Sequence, residues 1–224
     1  KNVGTLIGAI TEYKKVSEKT VISGCIVEKT TVTSSLENEQ AYVGAIVGSI
    51  GDNSTTTRAA DITGCTVSGC TVSSAGYGIG GIVGYASNAE NTISSCVVEN
   101  SEITATKETF GIDKASLGGV AAIYGGTISE TKVSNTKITG ECASGIVGRL
   151  INANDTTATI SGCTVEGCDI TAPDIAGGIT AIINGYEQAP YNGKKVIENC
   201  KITEYVTEDN NSKKTTVKAL VAGG

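Results

Sequence analysis

Residues 160–171 read ISGCTVEGCDIT, and their spacing decides the fold. Ile160, Val165 and Ile170 recur every five residues, with Cys163 and Cys168 each two residues ahead of an aliphatic. An α-helix repeats at about 3.6 residues and a straight strand alternates its faces, so neither has that period. A short strand followed by a two-residue corner does. Cys-Thr-Val (163–165) would point Cys and Val to one face, Glu166-Gly167 would turn the corner, and Cys-Asp-Ile (168–170) would begin the next side with the same inward pair.

The stretch is one of six. VISGCIVEKTTVT (21–33), ITGCTVSGCTVS (62–73), ISSCVVENSEIT (93–104), ISETKVSNTKIT (128–139) and IENCKITEYVTE (197–208) share its pattern. A glycine-aliphatic unit lies between them: LIGAI (6–10), VGAIVGS (43–49), GGIVGY (80–85), GGVAAI (118–123), SGIVGR (144–149) and GGITAI (177–182), with ALVAGG (219–224) closing the chain. The two units alternate strictly. Polar stretches of varying length interrupt them at fixed points, for example 51–61, 105–116 and 184–195, as surface loops between fixed strands do.

A repeat of this size, made of short strands, is one coil of a β-solenoid. The expected fold is therefore all-β, a right-handed parallel β-helix of about six coils with a partial strand at each end, forming a single domain over 1–224. Stacked coils bring equivalent residues into columns about 4.8 Å apart. One inward column reads Cys25, Cys65, Cys96, Thr131, Cys163, Cys200, and a second Thr30, Cys70, Ser101, Thr136, Cys168, Tyr205. Val27, Val67, Val98, Val133, Val165 and Ile202 form an aliphatic ladder, and Val32, Val72, Ile103, Ile138 and Ile170 another. Outside, Glu102, Lys137 and Asp169 alternate in sign at one position, beside Thr33, Ser73, Thr104, Thr139 and Thr171.

Composition agrees. The 224 residues hold 29 Gly, 2 Pro, one Phe and no Trp, so the core must be built from thin layers of β-branched and small residues. The net charge of −6 and the absence of a basic run argue against nucleic acid as a partner. No apolar run approaches a membrane span. No secretory leader is visible at Lys1, and the lack of an initiating Met reads as a piece of something longer.

GGIVGYASNAENTISSCVVENSEIT (80–104) resembles the bacterial GLUG-motif repeats, which read roughly Gly-Gly-Leu-Val-Gly, a short polar loop, then Thr-Ile-Ser before an aliphatic strand. Gly80, Gly81, Ile82, Val83, Gly84, Thr92, Ile93, Ser94 and Cys96 carry the match, repeated by SGIVG (144–148) with TISGC (159–163). The resemblance implies an extracellular, cell-surface or secreted setting, as a stalk or binding domain of a bacterial adhesin or similar surface protein. It transfers no catalytic residue. GGVAAI and GGITAI depart from the motif, and eight cysteines exceed its expected number.

Cysteine shares its slots with Thr and Ser, which marks it as a small buried filler, although disulfides between stacked coils, such as Cys65 with Cys96, stay open. A metal site is disfavoured, since there is no His and the cysteine spacing follows the corner. Seven aspartates (Asp52, Asp61, Asp113, Asp155, Asp169, Asp174, Asp209) share no column, and Arg58 and Arg149 are the only arginines, so a polysaccharide-active β-helix enzyme is the weakest reading. Flat Thr arrays suit ice binding, but Glu102, Lys137 and Asp169 occupy the neighbouring column. No cofactor is expected. Tyr77, Tyr85, Tyr124, Tyr186 and Tyr191, with Tyr42, fall where strands meet loops and are the candidate ligand contacts, for host or matrix glycans or proteins; capping of apolar corners is the alternative. Asn53, Asn154 and Asn210 fit the N-glycosylation pattern. The function expected is a non-enzymatic surface adhesin or stalk domain, with a filament subunit as the rival. Its partners would be flanking repeats or another copy stacked end to end.

Overall fold

The computed structural model describes residues 1–11, 18–35, 41–51, 58–106, 115–152, 156–183, 193–206 and 212–219. All are strand, turn or corner. Thirty of the strands form five parallel sheets of six, each sheet gathering one strand from every coil in order. The chain is a parallel β-solenoid of six coils with five legs per coil. The first coil runs Asn2–Gly4, Ile7–Ile10, Thr20–Ser23, Ile26–Glu28 and Thr31–Ser34. The last runs Ile175–Gly177, Thr180–Ile183, Lys194–Glu198, Lys201–Thr203 and Thr216–Ala219.

Legs three to five are the five-residue pattern. The third-leg strand of every coil, and the fourth-leg strand of the first five, is followed by a residue with positive φ: Gly24, Gly64, Ser95, Glu130, Gly162 and Asn199 at one corner, Lys29, Gly69, Asn100, Asn135 and Gly167 at the next. Only glycine reaches this left-handed region without strain, and asparagine is the commonest substitute. The cysteine slot therefore lies in the corner itself, one residue after the turn, and not at the head of a strand as the sequence reading had it. The aliphatic ladders hold: Val27, Val67, Val98, Val133, Val165 and Ile202 pair in register. So do Val32, Val72, Ile103, Ile138 and Ile170. From Val67 to Val165 and Val72 to Ile170 these side chains are wholly buried. At roughly 1.5–3 kcal/mol per buried aliphatic, the ladders are the main support of the fold.

The glycine-aliphatic unit makes legs one and two. In Val43-Gly44-Ala45-Ile46-Val47-Gly48 the chain turns back so tightly that the two legs touch backbone to backbone. A Cβ on Gly44 would lie 2.6 Å from the Ile82 carbonyl oxygen and 2.9 Å from the Gly84 nitrogen, and one on Gly84 2.6 Å from the Val43 nitrogen. Glycine recurs at this spacing because any side chain would push the legs apart. Val43, Ile46, Val47 and Ile50 point the other way, into the main core.

Two expectations are corrected. The second corner column does not end at Tyr205: Tyr205–Val206 pairs antiparallel with Ser212–Lys213 as a small hairpin inserted in the last coil, and the fifth leg resumes at Thr216, opposite Asp169. Thr215 thus stands where Tyr205 was expected. Nor is the start of the chain a partial strand, because the described residues from 2 to 219 divide into six whole coils. Ala219 belongs to the last fifth leg, and the rest of ALVAGG lies outside the described residues.

Candidate functional site

At each corner the turn takes one backbone N–H out of the ladder, and an amide left without an acceptor inside a solenoid is costly. The side chain of the next coil's equivalent residue supplies the acceptor. Cys65 N–H donates to Cys96 Sγ at 3.4 Å and Cys96 N–H to Thr131 Oγ1 at 3.4 Å. On the second corner Cys70 N–H donates to Ser101 Oγ at 3.1 Å and Cys168 N–H to Thr215 Oγ1 at 3.3 Å. The same side chain also donates. Cys96 Sγ–H faces the Ser94 carbonyl of its own coil at 3.3 Å and the Ile62 carbonyl of the preceding coil at 3.7 Å, and Cys163 and Cys200 repeat this with Ile128 and Ile160. Only Cys, Ser and Thr are small enough for the slot and can both donate and accept.

All eight cysteines are free thiols, so no stacked pair is bridged. Burial pushes the Cys96 thiol up to about 11 and the Cys163 thiol up to about 12, against corner amides that favour the thiolate. Cys65 and Cys168 move the same way for the same first reason. Such thiols are poor nucleophiles and poor metal ligands. Among the described residues no group of three or more His, Cys, Asp or Glu is placed to hold a metal ion.

The outward columns are ordinary polar faces with local pairing. Lys137 Nζ lies 3.0 Å from Glu102 Oε1, and Lys213 Nζ, brought by the inserted hairpin, lies 3.3 Å from Asp169 Oδ2. Lys132 pairs diagonally with Glu166 of the following coil. Burial would raise the Asp61 carboxyl, but the Thr92 hydroxyl at 2.6 Å and the Lys19 ammonium at 3.0 Å outweigh it and hold the group below its ordinary value.

None of the candidate tyrosines among the described residues is fully exposed. Tyr124 is fully buried in the main core, and burial, reinforced by Asp61 and Cys96, holds its phenol well above the usual value. Tyr85 is also buried. Its ring stacks on Tyr42 at 4.6 Å between centroids, in a small cluster with Ala122, Ile123 and Ile151. Neither Tyr85 nor Tyr124 is the exposed loop residue that the sequence suggested; both do the corner-capping alternative. Tyr77 is half-buried. Tyr186, Tyr191, Asn53, Asn154 and Asn210 lie outside the described residues.

Sequence reasoning missed three buried polar side chains that mend the ladder beside the insertions. Asn91 Oδ1 accepts from Ala60 N–H at 2.9 Å, Asn152 Nδ2 donates to the Thr156 and Lys194 carbonyls, and Glu141 Oε2 accepts from Ala115 N–H at 2.7 Å. Each stands outside the repeat pattern, so no period announces it.

The remaining feature is at the ends. Leu6, Val21 and Ile26 are exposed in the first coil, and Ile175, Ile183, Ile197, Ile202 and Val217 in the last. Among the described residues no large hydrophobic side chain of coils two to five is exposed. Ile197, Ile202 and Val217 continue the buried ladders, so their 40–49% exposure is an uncovered core. No described helix is long and apolar enough to cross a membrane. No family model, no curated protein and no solved structure matches the chain.

Proposed function

We propose that this chain is a non-enzymatic, extracellular coil stack, a segment of a stalk or adhesin domain of the GLUG type, whose ends are made to carry further coils. One observation supports the reading above the others: the exposed large hydrophobic side chains of the described residues sit on the first and last coils alone. A solenoid coil buries its apolar face only against its neighbours, so an uncovered ladder is a place for another coil. The buried polar groups fit the same role, since the cysteine, serine and threonine hydrogen bonds at the corners serve the ladder. Loops at the insertion points are then the places where host or matrix glycans or proteins would bind.

The test is extension. A coil copied from residues 115–140 and appended after Ala219 should raise the thermal midpoint and slow amide exchange at Ile197 and Ile202. If the appended coil leaves both unchanged while folding itself, the reading is wrong.

A further inference from the structure

We infer that the last coil of one copy docks on the first coil of the next, head to tail and in the register of the internal coils, so that the chain assembles into a polar filament. This rests on the reading of the ends as coil acceptors and commits to a second copy as the coil they accept. The two ends differ from each other, and each supplies what the other lacks.

The corner ladder gives the first complementarity. Cys65, Cys96, Cys163 and Cys200 each donate to a carbonyl of the preceding coil, from Ile22, Ile62, Ile128 and Ile160. Cys25 has no preceding coil, and the equivalent acceptor across a head-to-tail junction is the Ile197 carbonyl of the other copy. In return the Cys200 N–H, with no following coil, meets the Cys25 thiol, as Cys65 N–H meets Cys96. On the second corner the Thr215 N–H meets Thr30 Oγ1, which already donates to its own Glu28 carbonyl at 2.9 Å.

Side chains give the second. The same register sets Ile197 on Ile22, Ile202 on Val27 and Val217 on Val32, covering the ladder ends that the last coil leaves exposed; the first-coil members are themselves only 3–6% exposed. On the outer face of the third leg, coils two to five carry Asp61, Thr92, Thr127 and Thr159, whereas the first and last coils carry Val21 and Val196. The apolar pair meets only across a junction. Lys201 and Glu28 then fall on the diagonal that Lys132 and Glu166 occupy between coils four and five. Both are exposed and neither has an ion-pair partner among the described residues. One contact opposes docking: Lys194 falls over Lys19, which is already paired with Asp61.

Lys201 and Glu28 stand five coils apart in one molecule, so any coupling between them is intermolecular. Sedimentation velocity and negative-stain electron microscopy of the full chain over a range of concentrations should show open-ended, one-coil-wide filaments. Lys201→Glu and Glu28→Lys should each weaken association about fivefold. A one-to-one mixture of the two variants should restore it, because every mixed junction again joins opposite charges. Ile202→Asp, at a half-exposed position, should abolish filaments while the far-ultraviolet β-sheet spectrum is kept. A chain that stays monomeric, closed dimers joined by like ends, or single variants that mixing does not rescue would each overturn the inference. If the chain is monomeric yet the appended coil stabilises it, the proposed function stands and the head-to-tail filament falls.

Discussion

Cys96 illustrates how one side chain can serve two coils. Its sulfur accepts the Cys65 amide and its proton reaches the Ser94 and Ile62 carbonyls. Thr131, in the next coil of the same column, accepts the Cys96 amide and donates to its own Ser129 carbonyl at 2.9 Å. The column thus tolerates either residue type, and Cys96→Thr should shift the urea midpoint little. Cys96→Val keeps the shape but leaves the Cys65 amide buried without an acceptor, at a cost of about 1–3 kcal/mol. Equal midpoints for the two variants would refute the corner hydrogen bond as the reason for the slot.

Along the corner, the buried thiols act together on the pH dependence of stability. Their folded values are raised, to about 11 at Cys96 and about 12 at Cys163, from 9.0. A group whose folded value is raised contributes fully while the unfolded chain is still protonated, and its contribution falls as pH climbs toward the folded value. Stability should therefore be unaffected by these groups below about pH 8 and decline from about pH 9 upward. Thermal melts of the parent and of a Cys96→Thr, Cys163→Thr chain should diverge only in that alkaline range. Tyr124 also titrates there, so the difference between the two chains is the informative quantity. A constant offset at all pH values would count against buried thiols as the cause.

For the molecule as a whole, stability should be graded along the axis. Each coil contacts only its neighbours, and the outermost coils have one neighbour where the others have two. Amides of Val133 and Ile138, whose side chains are fully buried, should exchange at the slow limit. Those of Ile202 and Val217, residues 49% and 41% exposed, should exchange faster by local fraying. Dilution below the filament range is needed, since docking would protect these same positions. Uniform protection in the dilute monomer would mean that the ends are not the weak coils.

Local pattern alone determined the repeat, the inward ladders and the residues of the first corner, because strand alternation and a two-residue turn are properties of adjacent residues. Val27 to Ile202 could be aligned from the sequence for that reason. The uncovered ladder of the last coil was legible at Ile197 and Ile202, since the pattern runs that far without a break. Tertiary structure decided the rest. That Thr215 and not Tyr205 completes the second corner depends on where an inserted hairpin rejoins the coil, and the local pattern fits either place. Tyr85 and Tyr124 sit at similar points of their repeats yet are buried in different clusters, because legs one and two fold back at glycine distance and leave one face to each core. Asn91, Glu141 and Asn152 became visible only once the ladder they mend was in place, since a missing backbone partner is a property of the assembled coils and not of any segment.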